Sequence, residues 1–279
     1  MKKFQIRFFQ KVSYTWGGGL LLVLIIGIAL LAPYIAPCDP WSMGTPYLRP
    51  NAEHWLGTND IGQDIFSELI YGTRISLFIG LSAAFITTVI GTTIGIISGY
   101  VGGKIDRILM TITNFAIVIP NLPLTVVLVA YLKTGIWSII IALCVTSWAG
   151  TARLVRAQVM QLKQQPFIKL EQTLGMHSGY IMFVHVLPNI GNIVFTRATL
   201  AVASAMLNEA SLSFLGLGAV GQKSWGTILN NAFFRNGVIN HYWWWYYPPI
   251  ICICLCVMAF MLLGSGDKRK NQGQMFMSM

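Results

Sequence analysis

Between Arg74 and Lys104 the chain reads ISLFIGLSAAFITTVIGTTIGIISGYVGG, 29 residues without a charged side chain. A helix needs about 20 mostly apolar residues to cross the hydrocarbon core of a bilayer. This stretch is long enough, and it therefore predicts a membrane-spanning helix.

The composition of the whole chain supports a membrane protein. Of 279 residues, 55% are hydrophobic and only 10% are charged, with a mean hydropathy of +0.63. A soluble domain carries about 25% charged residues, and one of this size could not bury so much apolar surface. The net charge of +10 does not indicate nucleic-acid binding, because the basic residues lie between apolar runs and form no single patch.

Five further runs have the length of a span. They cover residues 17–35, 108–132, 135–158, 190–214 and 246–264. The first follows basic residues, as in a signal peptide, but it is longer than an ordinary signal core and has no obvious cleavage site, so we expect a retained helix. The sequence thus predicts an all-α integral membrane protein with six transmembrane helices and both termini on one side.

The distribution of lysine and arginine predicts the orientation. Most basic residues fall on the side that holds both termini, whereas the opposite side carries few of them, and basic residues favour the cytoplasm. We therefore predict that both termini are cytoplasmic. The predicted organisation is a cytoplasmic tail at 1–16, a first transmembrane helix at 17–35, an external loop at 36–72, a five-helix core at 73–266 with a cytoplasmic loop at about 162–189, and a cytoplasmic tail at 267–279.

An apolar stripe lies in the loop at 162–189. Phe167, Leu170 and Leu174 are spaced i, i+3 and i+7, which places them on one face of a short helix that Gly175 can end. Such a face has no core of its own to bury against. It either lies on the membrane surface or docks into the groove of a partner protein, and the pattern alone leaves both open.

Motifs of membrane enzymes are missing. The chain has no H-E-x-x-H, no G-x-S-x-G and no G-x-x-x-x-G-K-[ST], and its histidines have no metal-ligand spacing. Four of the five cysteines lie in apolar runs and Cys38 stands alone, so neither a disulfide framework nor a metal site is indicated. We predict no catalytic residue, no metal and no cofactor; if the protein pumps, the energy enters from another subunit.

Ionisable and polar residues within spans are costly and therefore informative. Arg74 and Glu209 are predicted at similar depth near the external face, where they would form a structural ion pair, with direct contact to the substrate as the alternative. Arg197 is expected to extend to the interface without a special role. Other polar residues either line a water-filled path or pack helices together: they are Asn114, Asn121, Thr146, Ser147 and Trp148.

A series of stretches carries a more specific pattern. They are LGTNDIGQD at 56–64, LIYGTRISL at 69–77, GYVGG at 99–103 with Asp106, ARLVRAQ at 152–158, LPN at 187–189, and EASLSFLGLG at 209–218 followed by Trp225 and Gly226. In this order they resemble the permease subunits of peptide and nickel ABC importers over nearly the whole chain. The resemblance implies a MetI-like helical bundle.

The resemblance also assigns the apolar stripe. The family's signature segment is Glu-Ala-Ala, three residues and Gly, ending at Leu-Pro, and it forms a coupling helix that enters a cleft on the ATPase. Here the triplet is Lys169-Leu170-Glu171, while the glycine and the Leu-Pro are kept, so Lys169 reverses a charge at the contact. The predicted coupling residues are Phe167, Lys169, Leu170, Glu171, Leu174, Gly175, Leu187 and Pro188.

A transport function follows from the resemblance. It implies a non-catalytic permease in the bacterial cell membrane, working as a heterodimer with a second permease, two ATPase subunits and an extracytoplasmic binding protein. The substrate expected is a short peptide, with nickel or a metal-chelator complex as the alternative. A stand-alone secondary transporter would show inverted repeats or several intramembrane carboxylates, and neither is evident. A membrane assembly protein would not explain the apolar stripe.

Overall fold

The computed structural model describes the backbone of residues 2–265 and the side chains of residues 16–264; the predicted C-terminal tail lies outside them. The described chain is helical and contains no β-strand. In order the helices are α1 (Lys2–Leu30), α2 (Ala32–Ile35), α3 (Ile65–Val101), α4 (Gly103–Val118), α5 (Asn121–Leu132), α6 (Ile136–Ser147), α7 (Ala149–Lys163), α8 (Pro166–Thr173), α9 (Ser178–Tyr180), α10 (Leu187–Asn189), α11 (Gly191–Leu212), α12 (Trp225–Phe234) and α13 (Trp243–Ser265), with π-helical segments at Ile181–Val186 and Ser213–Leu217.

The number of helices that can cross a bilayer differs from the number of predicted spans. Within the described residues, Ile65–Val101, Gly191–Leu217 and Trp243–Gly264 are long and apolar enough by themselves. Two bent pairs, α4 with α5 and α6 with α7, raise the number to five if each pair is one span. The apolar part of α1, Trp16–Leu30, is shorter, so six spans stay a prediction.

Helix α3 is the central element and starts earlier than the charge pattern suggests. It begins at Ile65, inside the predicted external loop, because the Asp64 side chain accepts a hydrogen bond from the Ser67 backbone N–H at 2.8 Å and caps the helix. Its 37 residues give a length of about 55 Å, whereas a hydrocarbon core is about 30 Å thick. Helix α3 is therefore much longer than the hydrocarbon core is thick.

The bend between α4 and α5 has a local cause. The two helices meet at 89°, and Pro120 lies between them. A proline disfavours the helical conformation of the residue before it, and Ile119 is extended, with φ −73° and ψ 127°. The smaller bend of 41° between α6 and α7 falls at Trp148.

Glycines bring α3 and α7 into close contact. Gly91, Gly95 and Gly99 are spaced four residues apart and face α7. A Cβ built on Gly95 would lie 2.7 Å from the carbonyl oxygen of Ala152 and from Cβ of Val155, distances that no side chain could keep. Small residues at this spacing let two helix backbones approach in a membrane.

The buried apolar residues form three clusters along α3. The first, around Leu69 and Trp225, joins α3 to α1, α11, α12 and α13. The second, around Ile79 and Leu143, joins α3 to α6 and α11. The third, around Ile96, joins the C-terminal end of α3 to α7, α8 and the residues that follow α8. We call this last part of the bundle the α8 end.

Candidate functional site

Helix α8 has defined start and stop signals. Pro166 occupies its first position, where the missing N–H costs nothing and the fixed φ suits a helix. At the other end Leu174 is followed by Gly175, which has a φ of +76°. The Gly175 N–H bonds to the Gln172 carbonyl and the Met176 N–H to the Glu171 carbonyl, so the last carbonyls of the helix are satisfied.

One face of α8 is buried and the other is exposed. Ile168 is fully buried, in a cluster with Ile96 and Val155. The predicted stripe points away from that cluster, since Phe167, Leu170 and Leu174 are exposed to 41%, 61% and 70%. We call these three side chains the docking face.

Polar contacts hold α8 in place. The Glu171 carboxylate lies 3.1 Å from Nε2 of His185, and the Gln172 amide donates to the Tyr100 hydroxyl at 3.3 Å. Nζ of Lys163 donates to the Tyr100 carbonyl at 2.5 Å. The first two contacts tie α8 to the π-helical segment after it and to α3, and the third ties α7 to α3.

The remaining predicted coupling residues divide between the two faces. Lys169 is exposed beside the docking face. Leu187 is partly buried and packs against the cluster that holds Ile168, whereas Pro188 is exposed. A bidentate ion pair between Arg156 and Asp106, at 2.5 and 2.7 Å, braces α7 against α4 nearby.

The predicted ion pair between Arg74 and Glu209 is wrong. Glu209 is 1% exposed and its carboxylate accepts hydrogen bonds from Ser213 at 2.7 Å and Ser76 at 3.2 Å. Arg74 is exposed, and no ion pair among the described residues joins it to Glu209. The ion pair was predicted from similar depth in the membrane. Depth alone does not establish a contact, because it does not say which face of its helix a residue occupies.

A polar cavity of about 390 Å³ lies where α4–α5 and α6–α7 bend. Its size is within the range of small-molecule sites. Three predicted path residues line it: Asn121, Thr146 and Ser147. The other two, Asn114 and Trp148, are not part of the lining.

Sequence reasoning missed the charged part of this cavity. Arg153 and Arg197 both line it, together with Asn208, Ser204 and Thr87. Nε of Arg197 is buried and has no hydrogen-bond partner within the described chain, and the expectation that this side chain extends to the membrane interface stays a prediction. The sequence did contain a signal for this charge, because Arg197 lies seven positions into the apolar run 190–214.

Three potential metal ligands meet in the loop before α3. The ligand atoms of Cys38, His54 and Asp64 lie within 4.8 Å of one another. Both Asp64 oxygens already have partners, since Oδ1 lies 3.0 Å from Nδ1 of His54 and Oδ2 accepts from Ser67. Burial, and then the charges of Asp64 and Glu53, raise the pKa of the Cys38 thiol, which disfavours the thiolate that binds metals. The trio ties the loop to α3.

These features define a class of protein. A membrane-spanning helical bundle that exposes an ordered apolar face at one end and forms an open polar cavity between bent helices is typical of the membrane subunit of a transporter. The chain belongs to the family of binding-protein-dependent transport system inner membrane components, whose model matches residues 91–266.

Relatives and solved structures support this assignment. The chain is 37% identical to the oligopeptide transport system permease protein OppC of Bacillus subtilis, over 92% of this chain and 85% of that protein. It is 35% identical to the dipeptide permease DppC of Bacillus subtilis, over 92% of this chain and 81% of DppC, and 35% identical to the glutathione permease GsiD of Pectobacterium atrosepticum, over 93% and 87%. A chain of the inward-facing MetNI methionine ABC transporter matches with a TM-score of 0.60 and 19% identity, covering 71% of this chain and 93% of that one. The predicted fold class, an all-α MetI-like bundle, is thus confirmed.

Proposed function

We propose that this chain is the membrane-spanning subunit of an ATP-driven importer of short peptides. The observation that carries the proposal is the docking face, because three large apolar side chains are held outward by a helix whose opposite side is fixed by buried Ile168. Full burial of one leucine or phenylalanine side chain stabilises a complex by about 1.5–3 kcal/mol. An exposed face of this kind therefore favours a partner.

The proposed partners follow from the family. ATPase subunits on separate chains would receive α8 in a surface groove, a second permease would complete the path, and a binding protein would deliver substrate at the end that carries loop 36–64. Under this proposal the α8 end is cytoplasmic, as the basic residues of the sequence predict, and both termini lie on that side.

The contacts of α8 support its role as a coupling element. A movement of the ATPases could reach the spans only if α8 moved with them as one body. Ile168 in the buried cluster, the Glu171–His185 contact and the Gln172–Tyr100 hydrogen bond supply that connection, since they join α8 to α3 and to the segment leading into α11. Closure of the ATPases would then switch the bundle between two states.

A peptide is the substrate that the relatives favour. OppC, DppC and GsiD are named for oligopeptide, dipeptide and glutathione transport, and this supports a peptide over the nickel alternative. The chain itself supplies no catalytic residue in this proposal. It provides the path and the connection to the ATPases.

Co-purification tests the proposal. The double variant Leu170→Asp/Leu174→Asp places two charges in the docking face. It should weaken the affinity for the ATPase subunits by about 100-fold, the equivalent of about 3 kcal/mol, and so reduce their recovery. Val220→Asp is the matched control, since Val220 is 77% exposed in a loop away from α8. Unchanged recovery and unchanged peptide uptake in the double variant would contradict the assignment of α8.

A further inference from the structure

The cavity is cationic. Arg153 and Arg197 are its charged lining residues, and no acidic side chain of the described chain lines it. A guanidinium group keeps its charge at any physiological pH. The cavity therefore favours an anion.

Among the residues that the structure describes, Arg197 lacks the acidic partner that Arg156 and Arg235 have. Arg156 is paired with Asp106 and Arg235 with Asp60, whereas Nε of Arg197 is buried without a hydrogen bond within the described chain. A guanidinium group whose own chain leaves part of its hydrogen-bonding capacity unused is stabilised when a ligand supplies an acceptor on the side that lines the cavity.

The structure around Arg197 leaves room for its guanidinium group. A Cβ built on Gly150 would lie 3.4 Å from Nη2 of Arg197, at the edge of ordinary van der Waals contact, so the guanidinium group lies directly beside Gly150. Gly150 and Arg197 lie on different helices, α7 and α11, and both line the cavity. The head group of Arg197 therefore lies at the wall of the cavity, next to α7.

Arg153 is oriented by a neutral partner. Its Nη2 donates to Oδ1 of Asn114 at 2.7 Å. The amide fixes the direction of the side chain without neutralising it, so the positive charge stays available to a ligand. Asn114, which was predicted to line the path, is thus a positioning residue behind it.

We infer that Arg197 and Arg153 bind the carboxylate of the peptide during its passage through the cavity. The inference rests on the proposed function and adds the chemical group that is recognised. Arginine suits a carboxylate because its planar N–H groups match the two oxygens, and an unmodified peptide carries at least one carboxylate at neutral pH. A metal cation without a chelator would be repelled by the same pair.

Transport also requires that this contact be temporary. A binding site in a path must be favourable enough to be entered and weak enough to be left. Arg153 is exposed and already shares its N–H groups with Asn114, so it offers a partial contact, and Arg197 supplies the stronger one. The carboxylate can leave when the bundle changes state.

Uptake into proteoliposomes that contain the complete complex tests the inference. The probes are tri-alanine with a free carboxylate and tri-alanine with a C-terminal amide, each supplied at a concentration that saturates the binding protein, with its affinity for both peptides measured separately. Arg197→Gln should lower uptake of the free acid about tenfold and leave uptake of the amide unchanged. Arg197→Lys should recover part of the loss, because the charge is restored.

Arg107→Gln is the matched control, because Arg107 is an exposed arginine that does not line the cavity. It should leave both rates unchanged. Equal losses with acid and amide in Arg197→Gln, or no loss with either, would overturn the carboxylate site while peptide import stands. If the wild-type complex moved neither peptide, the proposed function itself would fail, and the carboxylate site with it.

Discussion

Nζ of Lys223 lies 2.6 Å from Oε1 of Glu68, joining two residues 155 positions apart. Glu68 is 1% exposed, near the start of α3, and Lys223 precedes α12. The same Nζ lies 2.6 Å from Oε1 of Gln63, and the Asn59 amide donates to Glu68 at 3.2 Å. The loop before α3 and the segment before α12 are thereby held together by one buried charge pair.

Removal of Lys223 should destabilise the protein. Lys223→Met leaves the Glu68 carboxylate buried without its counter-charge, and breaking a buried pair in this way costs about 3–5 kcal/mol. Because Glu68→Gln removes the unpaired charge, the double variant Lys223→Met/Glu68→Gln should recover part of that loss. The free energy of unfolding in detergent, from denaturant titration, measures both effects.

Arg235 provides the comparison for this experiment. It lies 3.4 Å from Asp60, but its side chain is 66% exposed. Exposed pairs contribute about 0–1 kcal/mol, so Arg235→Met should change stability by less than 1 kcal/mol. Equal effects of Lys223→Met and Arg235→Met would show that the burial of Glu68 does not determine the strength of the pair.

The contacts of Glu209 give a second prediction. Because its carboxylate accepts from Ser76 and Ser213, Glu209→Gln replaces one acceptor oxygen by a donor and should cost about 1–3 kcal/mol. Arg74→Gln should change stability by no more than about 0.5 kcal/mol, because Arg74 is exposed. Thermal unfolding of the purified variants measures both.

A charge swap distinguishes a Glu209 held by serine hydroxyls from a Glu209 paired with Arg74. Arg74→Glu/Glu209→Arg should be about as unstable as Glu209→Arg alone, because both proteins bury a guanidinium group beside two serine hydroxyls and the exposed position 74 is too far removed to supply an acid there. If the swapped protein were instead more stable than Glu209→Arg, that result would support the ion pair that the sequence predicted.

The helices and the docking face could be predicted from sequence because both follow from local pattern. The charge-free run after Arg74 is sufficient for a span, and the i, i+3, i+7 spacing of Phe167, Leu170 and Leu174 is sufficient for a one-sided helix. Ile168 lies between stripe residues, and its role as the anchor follows only from the cluster it enters. That cluster is assembled from residues far apart in the chain.

Contacts between distant residues could not be predicted in the same way. The partners of Glu209 are Ser76 and Ser213, one of them 133 positions away, and nothing in the spacing indicates which α3 residue faces α11. That Arg197 lines the cavity depends on the rotation of α11 about its axis, which the position of the residue along the apolar run does not specify. The meeting of Cys38, His54 and Asp64 depends on a loop of irregular conformation, for which no periodic pattern exists.

Ile168 offers a prediction that separates the support of α8 from its surface. Ile168→Ala removes a fully buried side chain and should cost about 2–4 kcal/mol of local stability, because the surrounding helices cannot close the space completely. The docking face stays intact, so the ATPases should still co-purify, but α8 would no longer move as one body with α3 and α7. We therefore expect ATP hydrolysis that is no longer matched by peptide uptake.

Ile168→Val, which costs about 0.5–1.5 kcal/mol, is the graded control and should keep most of the uptake per ATP. Full coupling in Ile168→Ala, measured as peptide taken up per ATP hydrolysed in proteoliposomes, would show that the buried anchor of α8 does not transmit the movement.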